Sequence, residues 1–145
     1  MIQYILTDIE GTTTSISFVV DTLFPYFLAH ITELESAKDD AFVQAQLQKA
    51  KDTVKEEDGK DIDDAEAIGY LEKWCKEDRK HPALKALQGM VWKAGYLNGQ
   101  LKGHVYKEVP AALERWKENG MLLGIYSWNI LFRIGTCTET SFWVF

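Results

Sequence analysis

Cysteine is scarce: Cys75 and Cys137 are the only two in 145 residues. They lie too far apart in the chain for a disulfide framework or a Cys-x-x-Cys metal site, and both are expected to be inert thiols in a reducing cytoplasm. Positive charge is also short. Sixteen Lys and Arg face 22 Asp and Glu, a net charge of −6, and no basic cluster supplies the face that a nucleic-acid backbone requires. No apolar run approaches the length of a membrane span, and the N-terminus has neither a basic n-region nor a long apolar core. A cytoplasmic protein with no membrane or nucleic-acid partner is expected. Internal repeats and low-complexity tracts are absent as well.

What the chain does have is core material. Hydrophobic residues make up 46% and aromatics 12%, enough for one ordinary domain or a small domain carrying an insertion. The apolar run Ile2 to Leu6 reads as a buried strand, and it delivers Thr7-Asp8-Ile9-Glu10-Gly11 and then Thr12-Thr13-Thr14-Ser15. Phe18 to Leu28 is dense and apolar around Pro25, predicting a short, kinked or two-part helix. From Ile31 to Lys80, Glu, Lys, Asp, Ala and Gln dominate. Phe42, Ala45, Leu47 and Ala50 mark one amphipathic helix, and Ile68, Leu71, Trp74 and Cys75 mark another.

The acidic run Glu56 to Asp64 between them does not meet the calcium-loop spacing of oxygens around a glycine, so a solvated loop is expected. Pro82 opens a third helix with Leu84, Leu87, Val91 and Trp92 on one face, ended by Gly95 to Gly99. Val109 to Gly120 is a helix with Pro near its start and Gly at its stop, with Leu113 and Trp116 facing inward. Met121 to Tyr126 is a continuous apolar run, the pattern of a parallel strand buried on both faces, and Ser127 stands at its carboxyl end. The order is strand, long helical insert, helix, strand, which is α/β grammar.

In open α/β sheets ligands sit outside the carboxyl ends of the strands, which is where Asp8, Glu10 and Ser127 fall. A carboxylate there can attack phosphorus to form an aspartyl-phosphate, and a second acid two positions on can protonate the leaving oxygen and later activate water. Gly11 permits close backbone approach, and the hydroxyls and amides of Thr12 and Thr13 can hold phosphate oxygens. Magnesium would offset the repulsion between carboxylate and phosphate. On spacing alone, a capping Asp8 and a solvated Glu10 explain the pair equally well.

The surrounding residues separate those readings. Asp8-Ile9-Glu10-Gly11-Thr12-Thr13, then Ser17-Phe18-Val19 and Leu23-Phe24-Pro25-Tyr26, resembles the opening of the enolase-phosphatases (acireductone synthases) of methionine salvage. These are haloacid dehalogenase-like hydrolases. The likeness runs on through Asp78-Arg79-Lys80, Ala83 to Trp92, Gly95-Tyr96, Leu101 to Tyr106 and Val109 to Leu113, ending at Ile125-Tyr126-Ser127. It implies an incomplete Rossmann-like haloacid dehalogenase core, residues 1–16 and 105–127, with an inserted all-helical cap at 17–104. It also implies Mg²⁺ and a phosphoric monoester hydrolase that enolises and dephosphorylates 2,3-diketo-5-methylthiopentyl-1-phosphate to the acireductone. By position, Asp8 would be nucleophile and metal ligand, Glu10 acid/base and part of the metal site, where members of the superfamily usually coordinate through the backbone carbonyl, and Ser127, Thr12 and Thr13 phosphate contacts.

The resemblance stops at Ser127. The family continues with a second serine and a glycine, absent here, and with later segments that supply a phosphate-binding lysine and a further metal acid. Cys137 to Phe145 can be encoded so that a one-nucleotide shift reads Val-Gln-Lys-Leu-Leu-Phe-Gly-Tyr, a run typical of the family. Residues 128–145 are therefore expected to be an out-of-frame tail on a truncated chain, weakly active or inactive and prone to self-association, where the family is expected to be monomeric. Its apolar residues, Trp128, Ile130, Leu131, Phe132, Phe142, Trp143 and Phe145, would form an exposed end. Two rivals remain: a related phosphatase of another small metabolite, and a non-catalytic remnant. The histidines His30, His81 and His104 are scattered and are expected to be solvated or to pack; Lys102 and His104 lie close together before the return to the core, where one could face the substrate, and a solvated linker is the preferred reading. Trp74, Trp92, Tyr96 and Tyr106 could close the cap over a methylthio group, but their helical spacing favours the core.

Overall fold

In a computed structural model of the chain, residues 3–127 and 130–134 are described. The chain divides into two compact units: Thr22–Leu101, and the flanking segments that run through Asp21 and resume at Lys102. The flanking unit holds a three-stranded sheet, β1 (Tyr4–Thr7), β2 (Leu122–Ser127) and β3 (Ile130–Ile134), in the order β1-β2-β3. β1 and β2 are parallel, with Tyr4 opposite Leu122 and Thr7 opposite Ile125. β3 is antiparallel to β2, with Ser127 opposite Ile130. Sequence reasoning counted only two strands here. The third, Ile130 to Ile134, falls within the segment expected to be the divergent tail and pairs with β2; Trp128, Asn129 and residues 135–145 lie outside the described residues.

Side chains alternate across a strand, and in-register residues of parallel neighbours share a face. One face of the sheet carries Ile5 and Thr7 beside Leu123 and Ile125; Leu123 and Ile125 are 6% and 7% exposed. The helix α7 (Glu108–Glu118) packs on β2 and buries Leu113, while Trp116 is half-buried. The opposite face carries Tyr4, Leu6 and Leu122, exposed at 70%, 62% and 40%. The apolar pattern of Met121 to Tyr126 is that of a strand buried on both faces, but with so few strands retained it is expected to be under-covered; the sheet is covered on one face, α7 being the only helix that packs substantially on it among the described residues. An apolar run cannot report on its own which of its faces receives a partner.

Helices α1 (Ile16–Phe18) and α2 (Phe24–His30) are joined by a π-helical segment, Val19–Leu23. Pro25 sits in the first turn of α2. Its missing N–H cannot donate back toward Asp21, and widened turns before it accommodate the break. The division between the two units falls inside this segment, between Asp21 and Thr22.

The unit Thr22–Leu101 also contains α3 (Glu33–Ser36), α4 (Ala41–Asp58), α5 (Asp64–Lys76) and α6 (Pro82–Leu97). α4 packs on both α5 and α6. Its inner stripe is Val43, Leu47, Ala50 and Val54, all 1% exposed or less, at the four- and three-residue steps of one helix face. The expected face was one residue out of phase: Phe42 is 46% exposed and Ala45 is also exposed, whereas Leu47 and Ala50 are buried. Ile68, Leu71, Trp74 and Cys75 of α5 and Leu84, Leu87 and Val91 of α6 complete the core around Phe27 as expected, with Trp92 packed against its edge.

The acidic run Glu56 to Asp64, expected as a solvated loop, is a loop only in its middle: Glu56 to Asp58 end α4 and Asp64 begins α5. Gly59 caps α4 in the left-handed conformation at φ 68°, where a glycine avoids the Cβ penalty. Asp63 and Glu66 form a reciprocal capping box on α5. Its Asp-x-x-Glu spelling was present in the sequence.

Candidate active site

The acid pair follows directly from β1. Asp8 leaves the strand and its Oδ1 accepts the N–H of Ile9 at 2.8 Å. Ile9, 8% exposed, turns inward, and its carbonyl gathers the N–H groups of Thr12, Thr13 and Thr14 at 3.2, 3.0 and 3.1 Å. This tight turn needs Gly11 at φ 75°, a backbone region that other residues enter at a cost. The Gly11 N–H donates to the Thr14 carbonyl at 2.8 Å and closes the loop.

The result is a compact cradle with both carboxylates on its outside. Asp8 and Glu10 are exposed. Among the described residues, Asp8 Oδ2 and both carboxylate oxygens of Glu10 have no protein partner. The two threonines differ. Thr13 is 5% exposed and its hydroxyl lies 3.3 Å from each of the Asp8 and Ile9 carbonyls, so its proton is committed to the loop. Thr12 is exposed and its hydroxyl is free of protein bonds among the described residues. Ser127 ends β2, beside β1 in parallel register, which sets Asp8 and Ser127 at the same ends of neighbouring strands. Its side chain lies outside the described residues.

Two hard oxygen donors with free lone pairs suit a small divalent cation, which commonly takes one or two carboxylates and completes its shell with water and substrate phosphate. No group of three or more His, Cys, Asp or Glu side chains is placed to hold a metal ion among the described residues. Asp8 and Glu10 are the residues of this loop that could hold such an ion.

Sequence spacing missed His104. It is exposed, but not a bystander of a solvated linker: its Nδ1 lies 2.9 Å from Thr14 Oγ1 and accepts the N–H of Ser15 at 3.3 Å. The ring stacks on Phe18 and meets Tyr106 edge-on, and the Tyr106 N–H donates to the Thr13 carbonyl at 3.0 Å. These contacts span about ninety positions of chain, a separation at which a local motif gives no signal. Lys102 is exposed, as the linker reading had it.

The other singled-out groups serve the helical unit. His81 is 8% exposed. Its Nδ1 accepts the Ala83 N–H and caps α6, so its Nε2 carries the proton toward Thr53 Oγ1. Burial, then the nearby Arg79 charge, holds its pKa below the ordinary value. Trp74 is buried under the Arg79 guanidinium, 4.4 Å from its ring centre; Arg79 in turn forks onto Glu57. Trp92 donates its indole N–H to the Leu23 carbonyl, and Tyr96 is half-buried. Burial pushes the Cys75 thiol up, and Gln88 donates to its sulfur; Cys137 lies outside the described residues. No helix of the described residues is long and apolar enough to cross a membrane.

A parallel strand pair, a helical unit inserted after the first strand, and an acid loop at that strand's carboxyl end define an α/β protein with a helical insertion. No family model matches the chain. Curated relatives do. It is 47% identical over 127 residues to enolase-phosphatase E1 of Picosynechococcus sp., covering 88% of this chain and 56% of the relative. The enzymes of the same name from Marinobacter nauticus and Pseudomonas aeruginosa are 50% and 49% identical over 129 and 128 residues, with 55% of each covered. A crystal structure of the UTR4 protein of Saccharomyces cerevisiae superposes with a TM-score of 0.64 at 32% identity, covering 88% of this chain and 51% of that one. The chain is a homologue of the enolase-phosphatase E1 proteins, and it spans about half the length of the relatives it matches.

Proposed function

We propose that the chain carries the nucleophile-bearing part of an enolase-phosphatase, a Mg²⁺-dependent phosphoric monoester hydrolase of the haloacid dehalogenase type. Its substrate would be 2,3-diketo-5-methylthiopentyl-1-phosphate, enolised and dephosphorylated to the acireductone of methionine salvage. The flanking unit is the partial hydrolase core and Thr22–Leu101 is the bulk of the cap. The observation that carries this reading is the match of 47% over 127 residues to an enolase-phosphatase E1. The outward-facing carboxylates of the Ile9 to Thr14 loop support it.

In this reading Asp8 Oδ1 is steadied by its own chain, which leaves Oδ2 to attack phosphorus. The bond from phosphorus to the substrate oxygen breaks, and Glu10 protonates that oxygen as it leaves. Glu10, now a carboxylate, takes a proton from water, which attacks the aspartyl-phosphate and releases phosphate and free Asp8. Thr12, through its free hydroxyl, and Ser127, from the end of β2, hold phosphate oxygens; Thr13 contributes mainly by fixing the loop. Asp8, through its carboxylate, and Glu10, through its backbone carbonyl, would hold the magnesium ion, which supplies charge neutralisation when bound.

The test is a chimaera that joins residues up to Ser127 to the remainder of the Picosynechococcus relative. Mg²⁺-dependent phosphate release from the diketone phosphate is expected, with Asp8→Asn lowering it by roughly three orders of magnitude or more, as for other units of covalent machinery. Turnover that survives Asp8→Asn would exclude Asp8 as nucleophile.

A further inference from the structure

We infer that His104 is a positioning residue for the acid loop, acting through a lone pair on Nδ1 with its proton held on Nε2. This rests on the proposed function only for what the loop does; the hydrogen-bond assignment stands on geometry.

The Ser15 N–H can only donate, so the nitrogen it meets at 3.3 Å must accept. That same nitrogen lies 2.9 Å from Thr14 Oγ1, so the Thr14 hydroxyl donates as well, and the neutral ring carries its proton on Nε2. Both donors matter to the loop. Thr14 is 5% exposed, and losing its acceptor would leave a buried hydroxyl without a protein acceptor. Its backbone bridges Glu10 and accepts the Gly11 N–H, so a displaced Thr14 moves the second carboxylate. Ser15 is the N-cap of α1, its Oγ accepting from the Ser17 N–H, so the same imidazole fixes where the helix begins. The Tyr106 N–H on the Thr13 carbonyl makes a second tether from the segment that carries His104. Glu10 is therefore placed by two strands of chain, its own and the one that returns from the helical unit.

The experiment uses the full 145-residue chain, labelled with ¹⁵N, and reads the imidazole tautomer and the exchange of the Ser15 amide by NMR. Turnover is not the readout, so failure of the proposed function would leave this test intact. The Nε2–H tautomer is expected. His104→Phe keeps an aromatic face for Phe18 but removes the acceptor, and Ser15 protection should fall about tenfold, the size of one net hydrogen bond. His104→Asn restores an acceptor near the Nδ1 position and should recover it, whereas His104→Gln, whose amide reaches the Nε2 position, should not. An Nδ1–H tautomer, wild-type protection in His104→Phe, or no recovery in His104→Asn would each overturn the assignment.

Discussion

The two units hold together by different means. The helical unit surrounds Phe27, Val43, Leu47, Ala50, Leu71 and Leu87 so completely that each is fully excluded from water. The flanking unit leaves one face of its sheet to solvent through Tyr4, Leu6 and Leu122, and it shapes its loop with hydrogen bonds to the Ile9 carbonyl and His104. Apolar burial is the dominant favourable contribution in folding, while a net hydrogen bond adds about 1 kcal/mol. Stability is thus concentrated in the helical unit, and the acids are presented by the thinner one. That division suits the proposed site, whose carboxylates would have to remain reachable.

The largest expected effect comes from the core. Leu47→Ala removes a side chain that is 0% exposed and should destabilise the helical unit by about 3 kcal/mol. Leu6→Ala, at a position 62% exposed, should cost no more than about 0.5 kcal/mol. Denaturant titration of the two variants sharpens the comparison, and equal losses would break it. Next is Gly95→Ala. A Cβ there would lie 2.7 Å from the Tyr26 ring, and Tyr26 is held by its hydroxyl on Gln100 and its stacking on His30. Overpacking of about 1–3 kcal/mol is expected, visible as a lowered midpoint.

A smaller effect follows from His81. Its folded pKa lies below the ordinary 6.5, so the unfolded chain takes up a proton first as pH falls. The stability that neutral His81 provides is present above pH 6.5 and is lost progressively as pH falls from there through the depressed folded pKa. Stability of the helical unit measured from neutral to mildly acidic pH should decline over this window in the wild type. In His81→Asn, which keeps a short N-cap acceptor, that decline should be absent.

Periodicity was a good guide where one face of a helix meets a continuous core. Leu71, Trp74, Leu84, Leu87 and Val91 could be read directly as inward-facing. It failed by one residue in α4 because Phe42 looked like a core residue by type, while packing on α5 and α6 selected Val43 and Val54. The first strand was legible as a strand but not in its covering, since Tyr4 and Leu6 are apolar whether or not anything packs on them. At the site, Asp8, Glu10, Gly11 and Thr12 form one contiguous motif and were readable. His104 was not, because its link to Thr14 and Ser15 exists only after the chain has returned from the helical unit.

Native-state amide hydrogen exchange of the whole chain tests the central claim most directly, because it reports the opening energy of each unit in one sample. The amides of Leu47, Ala50, Leu71 and Leu87 should exchange last and together, and those of Leu6, Leu123 and the Ile9 to Ser15 loop should exchange earlier. Equal or greater protection of Leu6 and Leu123 than of Leu47 would contradict the assignment of stability to the helical unit.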